Sequence, residues 1–342
     1  MKIWFDILTP KQYLFFEYFI QKLRKQHKIL CTSRKYLQVN GITKFGTINP
    51  ILIGKHGGKE NTAKLLASLD RSKTLTKKID KTKPDLLISF CSPEASRVAF
   101  GLGIPHISFS DSPQANAVMR LSLPYVTRLL TPWIFPKSDF TQFGIAKKNI
   151  IKYKAIDASI IIKNYKKNKK ERTNHKKIIV FRPEETEAAY ITKENNTSKI
   201  IQKIIDGFPN EKKIVLSRYK DQTTELKKVF GTKILIFSKP VNGKEFLKNV
   251  DCFVGSGGTM TAESGLLGIP TISLNTVSNR VEDYLVKKKI IVRITNPNKI
   301  AKEIYQSLNN VQLRNKRKIK AKKTMASFED PYQVLLRTIK SL

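Results

Sequence analysis

A glycine-rich segment between an apolar strand and a helix carries the clearest chemical pattern in the sequence. Residues 251–254 (DCFV) are predicted to form a strand that runs into Gly255-Ser256-Gly257-Gly258 and then into a helix. Glycine lets the backbone approach a ligand closely and adopt positive φ angles. The backbone N–H groups at the start of a helix lie at the positive end of its dipole, so they can bind the negative charge of a diphosphate. The residues assigned to this anion site are Gly255, Ser256, Gly257, Gly258, Thr259 and Met260.

One acidic residue extends this pattern toward a nucleotide. Glu263 lies one turn beyond Thr259, on the same face of the predicted helix. A carboxylate at this position can accept hydrogen bonds from ribose hydroxyls. Further along, Gly265 and Gly268 predict close packing of the helix against the sheet. An ordinary glycine-rich turn between strand and helix is the alternative, but the added acid and the turn 268–270 (GIP) favour ligand binding.

Basic and titratable side chains in predicted loops supply further candidates. Arg182 and Arg218 each follow a predicted strand, where a guanidinium group can contact phosphates. His56 lies in the glycine-rich loop of residues 53–58 (IGKHGG), and a histidine there can titrate near neutral pH beside an acceptor. An exposed loop histidine without a chemical role is the alternative for His56.

The elements that must position these residues alternate between strands and helices through most of the chain. Such alternation predicts an α/β fold of two doubly wound, Rossmann-type domains, with an interdomain cleft and ligands at the carboxyl ends of the strands. A polar, basic stretch separates the two halves. The predicted parts are an N-terminal domain (1–162), a basic linker (163–177), a C-terminal domain (178–310) and a helical tail (311–342).

Length and composition exclude several classes of protein. The 342 residues exceed what one hydrophobic core usually supports, and 40% apolar residues exclude a disordered chain. No apolar run is long enough to span a bilayer, and Asp6 interrupts the apolar N-terminus, so a cytoplasmic location is expected. Cys31, Cys91 and Cys252 are far apart and lie in apolar runs, which indicates buried thiols rather than disulfides or a zinc site.

The charge is unusual, because the chain has 64 lysine and arginine residues but 27 acidic residues, which gives a formal net charge of +37. An anionic partner would explain this excess: a membrane surface, a nucleic acid or a phosphorylated substrate. A lysine-rich composition without a functional meaning is the alternative. Because no RNA-binding signature is present, nucleic acid is not favoured. An anionic membrane surface with peripheral association remains among the expected partners.

Several segments together resemble a known family. These are IWFDILTPKQYLFF, IGKHGG, SPEASRVAFGLGIP, RPE and GSGGTMTAESGLLGIP, and over about residues 1–295 they resemble domain of unknown function family 354. The last segment is also similar to the nucleotide-sugar-binding element of GT-B glycosyltransferases and non-hydrolysing UDP-N-acetylglucosamine 2-epimerases. The resemblance implies a GT-B-like fold, in which 1–162 is the acceptor-side domain and 178–310 the nucleotide-sugar-binding domain. It also implies a UDP-sugar as substrate and a reaction without a metal or another cofactor.

The resemblance leaves three functions open. A glycosyltransferase is favoured, in which Asp111 or Glu94 activates the acceptor while Arg182, Arg218 and helix amides hold the departing diphosphate. The acceptor is open, and a lipid-linked one is among the options. A 2-epimerase is the first alternative, since Asp111 matches an epimerase acidic residue, but Phe181 replaces the histidine that epimerases carry before Arg182. The second is a non-catalytic nucleotide or polyanion binder, whose binding would depend on salt.

Overall fold

The computed structural model describes residues 1–35, 47–58, 60–163, 176–183, 196–217, 220–238, 241, 243–277 and 279–342. The chain divides into two compact units, and each is described separately. The first comprises Met1–Ile160 and Glu329–Leu342, and the second Ile161–Phe328. Most of the predicted linker 163–177 lies outside the described residues.

The first unit contains a parallel sheet of seven strands within the described residues. They are β1 Lys2–Asp6, β2 Lys28–Lys35, β3 Ile51–Lys55, β4 Leu86–Ser89, β5 His106–Phe109, β6 Arg128–Pro132 and β7 Ile150–Tyr153. Their order in the sheet is β3-β2-β1-β4-β5-β6-β7. The central strands are buried along their length, as expected for a sheet covered on both faces. The helices between and after them are α1 Pro10–Leu23, α2 Asn61–Thr82, α3 Pro93–Gly101, α4 Asn116–Ser122, α5 Ser138–Thr141 and α6 Asp157–Ile161.

Aromatic packing fixes helix α1 against the sheet of the first unit. Phe15, Phe16 and Phe19 are fully buried. They lie against Phe90 and Phe109, with ring centroids 5.2–6.0 Å apart in mostly edge-to-face pairs. Rings packed at this density leave little freedom for the helix to rotate or slide. The first turn of α1 is therefore held in a fixed place above the carboxyl ends of the strands.

The second unit repeats the architecture with a parallel sheet among its described residues. Its strands are β8 Ile178–Arg182, β9 Lys212–Leu216, β10 Leu235–Phe237, β11 Cys252–Gly255, β12 Thr271–Ser273 and β13 Val292–Arg293. Their order in the sheet is β10-β9-β8-β11-β12-β13. Its helices are α7 Asn196–Gly207, α8 Lys220–Phe230, α9 Gly243–Leu247, α10 Thr259–Leu266, α11 Arg280–Lys287, α12 Pro297–Asn309 and α13 Val311–Ala326. The predicted α/β class, with two doubly wound parallel sheets, is confirmed.

The end of the chain returns to the first unit. Helix α14 (Pro331–Lys340) places the Tyr332 ring 6.3 Å from both Tyr18 and Phe19 of α1. The Tyr18 hydroxyl donates to Asp330, which also caps α14. The predicted tail 311–342 is thus divided, because α13 belongs to the second unit and α14 to the first. Among the described residues, no helix is both long and apolar enough to cross a bilayer.

Candidate functional site

The glycine-rich segment of the second unit begins at the carboxyl end of β11. Gly255, the last residue of β11, pairs in register with Arg182, the last residue of β8. The Ser256 amide donates to the Arg182 carbonyl at 3.3 Å. The strand order reverses between β8 and β11, which is the place where open α/β sheets bind ligands. The structure therefore brings Arg182 and the predicted anion site together, whereas Arg218 lies outside the described residues.

Two consecutive glycines turn the chain from β11 into α10. Gly257 and Gly258 have φ angles of +85° and +82°, a backbone conformation that residues other than glycine rarely adopt. Gly258 is the N-cap residue of α10, and it has no side chain that could accept a hydrogen bond from the first amides of the helix. Because an α-helix leaves its first N–H groups without partners inside the helix, those of α10 have the chemistry to bind an anion, at a position that we call the anion seat.

Gly257 tests how far this turn depends on glycine. Alanine there must adopt a positive φ, at a cost of about 1–3 kcal/mol. Its Cβ atom would also lie 2.8 Å from Asn275 Nδ2 and 3.1 Å from Glu282 Oε2, and so would disturb the hydrogen bond that Asn275 donates to Glu282. We expect Gly257→Ala to lower the free energy of unfolding by about 2–4 kcal/mol in urea titration, and Gly101→Ala, an exposed helical glycine without a positive φ, to change it by less than about 1 kcal/mol. Equal stability of the two variants would contradict the backbone conformation at Gly257.

Glu263 lies in the second turn of α10 and is 4% exposed. Its Oε2 atom would lie 3.2 Å from a Cβ atom at Gly243, so the carboxylate sits beside the start of α9. The absence of a side chain at Gly243 keeps this approach open. A carboxylate held on the α10 face next to the anion seat has the chemistry to accept hydrogen bonds from a pair of sugar hydroxyls.

A second group of ionisable side chains, the Lys11 cluster (Lys11, Asp111, Tyr153 and Asp157), lies in the first unit. Asp111 follows β5, Tyr153 ends β7, and Asp157 begins α6, so all three lie at the carboxyl edge of the sheet. Lys11 Nζ lies 2.5 Å from Asp111 Oδ2 and 2.7 Å from Asp157 Oδ2. The Tyr153 hydroxyl donates to Asp157 Oδ1 at 3.0 Å. The cluster joins one predicted catalytic residue, Asp111, to three that the sequence did not single out.

The two carboxyl groups of the Lys11 cluster have separated pKa values. Burial, and then the charge of Asp111, raise the pKa of Asp157 to about 7. Burial alone would raise the pKa of Asp111 as well, but the charge and hydrogen bond of Lys11 outweigh this effect, so the pKa of Asp111 is lowered. Two adjacent carboxyl groups with separated pKa values can act as an acid and a base at neutral pH.

Glu94, the other predicted base, belongs to the buried ion network (Asp6, Arg71 and Glu94). Arg71 is 1% exposed; its Nη1 lies 3.3 Å from Glu94 Oε2, and its Nη2 lies 2.6 Å from Asp6 Oδ1. The Ser92 hydroxyl donates to Asp6 Oδ2 at 2.6 Å. Burial alone would lower the pKa of Arg71, but the charges and hydrogen bonds of Asp6 and Glu94 outweigh this effect, so the pKa of Arg71 is raised. Glu94 thus neutralises a buried guanidinium, which leaves Asp111 as the better placed of the two predicted bases.

His56 is exposed in the loop after β3. Its Nδ1 atom accepts a hydrogen bond from the Gly58 amide at 3.0 Å, which closes the loop on itself. Gly58 has a φ of +77°, so the loop depends on glycine there. The contact gives His56 a role in shaping the loop, and its predicted role at an acceptor stays a prediction.

Comparison with known proteins places the chain in a family. A family model described as "Protein of unknown function (DUF354)" matches residues 1–341. The chain belongs to this family. An uncharacterized protein of Methanocaldococcus jannaschii, MJ0665, is 27% identical over 325 residues, which cover 90% of this chain and 92% of that protein. The resemblance to the DUF354 family expected from the sequence is confirmed over the whole chain.

Solved structures show which fold this DUF354 protein shares. UDP-GlcNAc 2-epimerase from Neisseria meningitidis, bound to UDP-GlcNAc, superposes with a TM-score of 0.72 at 14% identity, over 100% of both chains. UDP-GlcNAc 2-epimerase from M. jannaschii gives 0.70 at 16% identity, also over 100% of both chains. The spinosyn forosaminyltransferase SpnP gives 0.66 at 12% identity, over 99% of this chain and 98% of that one. The GT-B-like fold is therefore confirmed.

Lys11, Asp157 and Arg71 of this DUF354 protein were not singled out from the sequence. Lys11 and Asp157 are separated by more than a hundred residues, and only the tertiary fold brings them together. For Arg71 a weak signal existed in Gly54, whose φ is +73° and where a Cβ atom would lie 2.9 Å from Arg71 Cβ. Such a glycine indicates that a neighbouring element approaches closely, but it does not identify that element.

Proposed function

We propose that this DUF354 protein is an enzyme that binds a UDP-sugar through its second unit and transfers the sugar to an acceptor. The observation that carries the proposal is the turn at Gly257 and Gly258, which leads into α10 beside Arg182 and ahead of the buried Glu263. The α10 amides and Arg182 would hold the diphosphate, and Glu263 would hold the ribose hydroxyls.

The solved structures that share the fold support this ligand class. Among them are a 2-epimerase bound to UDP-GlcNAc and one in complex with UDP-GlcNAc and UDP. Sugar transfer leaves a diphosphate whose negative charge must be stabilised in the transition state. The α10 amides and Arg182 supply that positive potential in the proposal, which includes no step on a metal ion.

In the proposed transfer, the first unit supplies the proton chemistry. Asp111 is 15% exposed at its side chain and, with its pKa lowered by Lys11, is ionised at neutral pH. An ionised carboxylate can take the proton of an acceptor hydroxyl as that oxygen attacks the sugar. Asp157 then provides a second, buried carboxyl group that Lys11 and Tyr153 hold in place.

A second candidate, 2-epimerisation of the UDP-sugar, is favoured by one specific observation. Epimerisation must remove and return a proton at the sugar C2 atom, so it needs a group that carries a proton near neutral pH. Asp157, with a pKa of about 7 and bridged to Asp111 by Lys11, is such a group. The absence of the epimerase histidine at Phe181 still favours transfer over epimerisation.

Calorimetric titration tests the proposed ligand class. UDP, UDP-GlcNAc and a GDP-sugar are titrated into the wild type at low and at moderate salt. We expect saturable binding of the two uridine compounds that persists at moderate salt, with weaker binding of the GDP-sugar. Heat that appears only at low salt, with no preference among the three compounds, would contradict the proposal and indicate a polyanion binder.

Incubation with UDP-GlcNAc in deuterated water separates the two reactions. Transfer leaves the C2 proton in place and releases UDP only when an acceptor is present. Epimerisation exchanges the C2 proton for deuterium without any acceptor. Deuterium at C2 in the wild type, and its loss in Asp157→Asn, would overturn transfer in favour of epimerisation.

A further inference from the structure

Helix α13 in the second unit carries the densest positive charge in the chain. No acidic residue occurs in residues 304–328, whereas the ten residues 314–323 contain seven lysines and arginines. Within the described residues, Arg317 is the member of this group that pairs with a carboxylate, Glu303 Oε1 at 2.5 Å. The five lysines of the helix, which we call the α13 lysines, are exposed: Lys316, Lys318, Lys320, Lys322 and Lys323.

The helix is attached to its unit without the help of the α13 lysines. Arg317, Ala321 and Thr324 are buried along one side of α13. Arg317 also donates to the Ser307 hydroxyl of α12 at 3.1 Å. Gly268, which follows α10, lies close to α13: a Cβ atom added at Gly268 would be 3.0 Å from the Lys318 Cα atom. The backbone of α13 therefore packs closely, and the lysine head groups remain available to a partner.

The outward side of α13 combines an apolar centre with charged flanks. At 3.6 residues per turn, Ile319 projects opposite the buried side and is 55% exposed. Lys318 and Lys322 lie on one flank of Ile319, and the other three α13 lysines lie on the opposite flank. This arrangement lets Ile319 enter the head-group layer of a lipid surface, while the lysine stems extend along apolar surface and carry their charges to the head groups.

We propose that α13 docks on an anionic lipid surface, with Ile319 among the head groups and the α13 lysines around it. Lysines held close to an anionic membrane surface are attracted to its lipid head groups, and each added lysine strengthens the attraction. A nucleic acid would gain little from Ile319, and proteins that bind single strands use aromatic rings for stacking, of which α13 has none. The proposal is independent of nucleotide binding.

Vesicle sedimentation with the full chain and no nucleotide tests the proposal. The probes are vesicles of pure phosphatidylcholine and vesicles containing roughly one-third phosphatidylglycerol, at physiological salt. We expect the wild type to bind only the second kind. Replacing all five α13 lysines with glutamine is expected to weaken that binding about tenfold or more, and Ile319→Gln is expected to weaken it by severalfold.

Two control variants match these changes in charge and exposure. The first replaces five exposed lysines of α2 with glutamine: Lys64, Lys73, Lys77, Lys78 and Lys81. The second is Val229→Gln, which changes an apolar side chain that is 55% exposed on α8. Both are expected to bind the anionic vesicles within about twofold of the wild type. Thermal unfolding checks that every variant folds, since each change lies on an exposed side.

Three results would overturn the proposal. The first is anionic-vesicle binding that falls equally in the α2 and α13 lysine variants, because net charge alone would then account for it. The second is retention of binding by the α13 variant. The third is binding of a single-stranded RNA that exceeds vesicle binding, depends on the α13 lysines and is indifferent to Ile319→Gln, since this would identify a nucleic-acid surface.

Discussion

Replacing Arg71 with methionine is expected to lower the free energy of unfolding by about 3–5 kcal/mol. Arg71 is 1% exposed and pairs with Asp6 at 2.6 Å and with Glu94 at 3.3 Å. It also donates from Nε to the Ile53 carbonyl at 3.1 Å. Methionine keeps much of the volume but leaves two buried carboxylates without their counter-charge. Removal of one partner from a buried ion pair is costly for this reason.

Urea titration measures the loss, and Arg120→Met serves as the control because Arg120 is exposed on α4. The control is expected to remain within about 0.5 kcal/mol of the wild type. A triple variant that adds Asp6→Asn and Glu94→Gln to Arg71→Met removes all three charges. It is expected to recover part of the stability, since no uncompensated charge then remains buried. Equal stability of the Arg71 and Arg120 variants would show that the buried ion network contributes little.

The Asp157→Asn variant is expected to change how stability depends on pH. Burial and Asp111 raise the pKa of Asp157 to about 7, from 3.8 in the unfolded chain. Between these two values the folded protein holds a proton that the unfolded chain has released. The folded state therefore binds more protons, and the contribution of Asp157 to the free energy of unfolding falls as pH rises from about 4 to about 7.

In the variant an amide replaces this carboxyl group and cannot titrate. The decrease in the free energy of unfolding that Asp157 causes as pH rises is therefore absent. Relative to the wild type, the Asp157→Asn variant is expected to gain stability by on the order of 4 kcal/mol between about pH 4 and pH 7. The lowered pKa of Asp111 acts below this window and leaves the difference unaffected. Urea titrations across the window measure it, with Asp80→Asn, an exposed residue of α2, as the control. Parallel curves for the wild type and Asp157→Asn would contradict the raised pKa.

The sequence predicted the glycine-rich turn because its information is local. The positive φ angles at Gly257 and Gly258, the start of α10 at Thr259 and the place of Glu263 one turn into that helix all follow from residue types at fixed spacing. The alternation of strands and helices likewise predicted the two parallel sheets. Arg182 was predicted at a strand end, and the register of β8 with β11 places it beside Gly255.

The Lys11 cluster could not be derived in this way. Asp111 was predicted from its match to an epimerase acidic residue, but its chemistry depends on Lys11 and Asp157, which other elements supply. The ring packing of Phe15 against Phe90 and Phe109 sets where Lys11 lies, and no local pattern encodes that distance. For Glu94 the sequence showed an acid at a helix start, and the fold supplied Arg71 as its partner.

The most direct test of the proposed nucleotide site is the affinity for UDP-GlcNAc of the wild type and two matched variants at moderate salt. Glu263→Gln removes one buried carboxylate charge from α10, and Glu225→Gln removes one exposed charge from α8 in the same unit. We predict saturable binding by the wild type and Glu225→Gln with equal affinity, and a loss of roughly 30-fold or more in Glu263→Gln. Unchanged affinity in Glu263→Gln, or no binding by the wild type, would contradict a UDP-sugar site at the turn of Gly257 and Gly258.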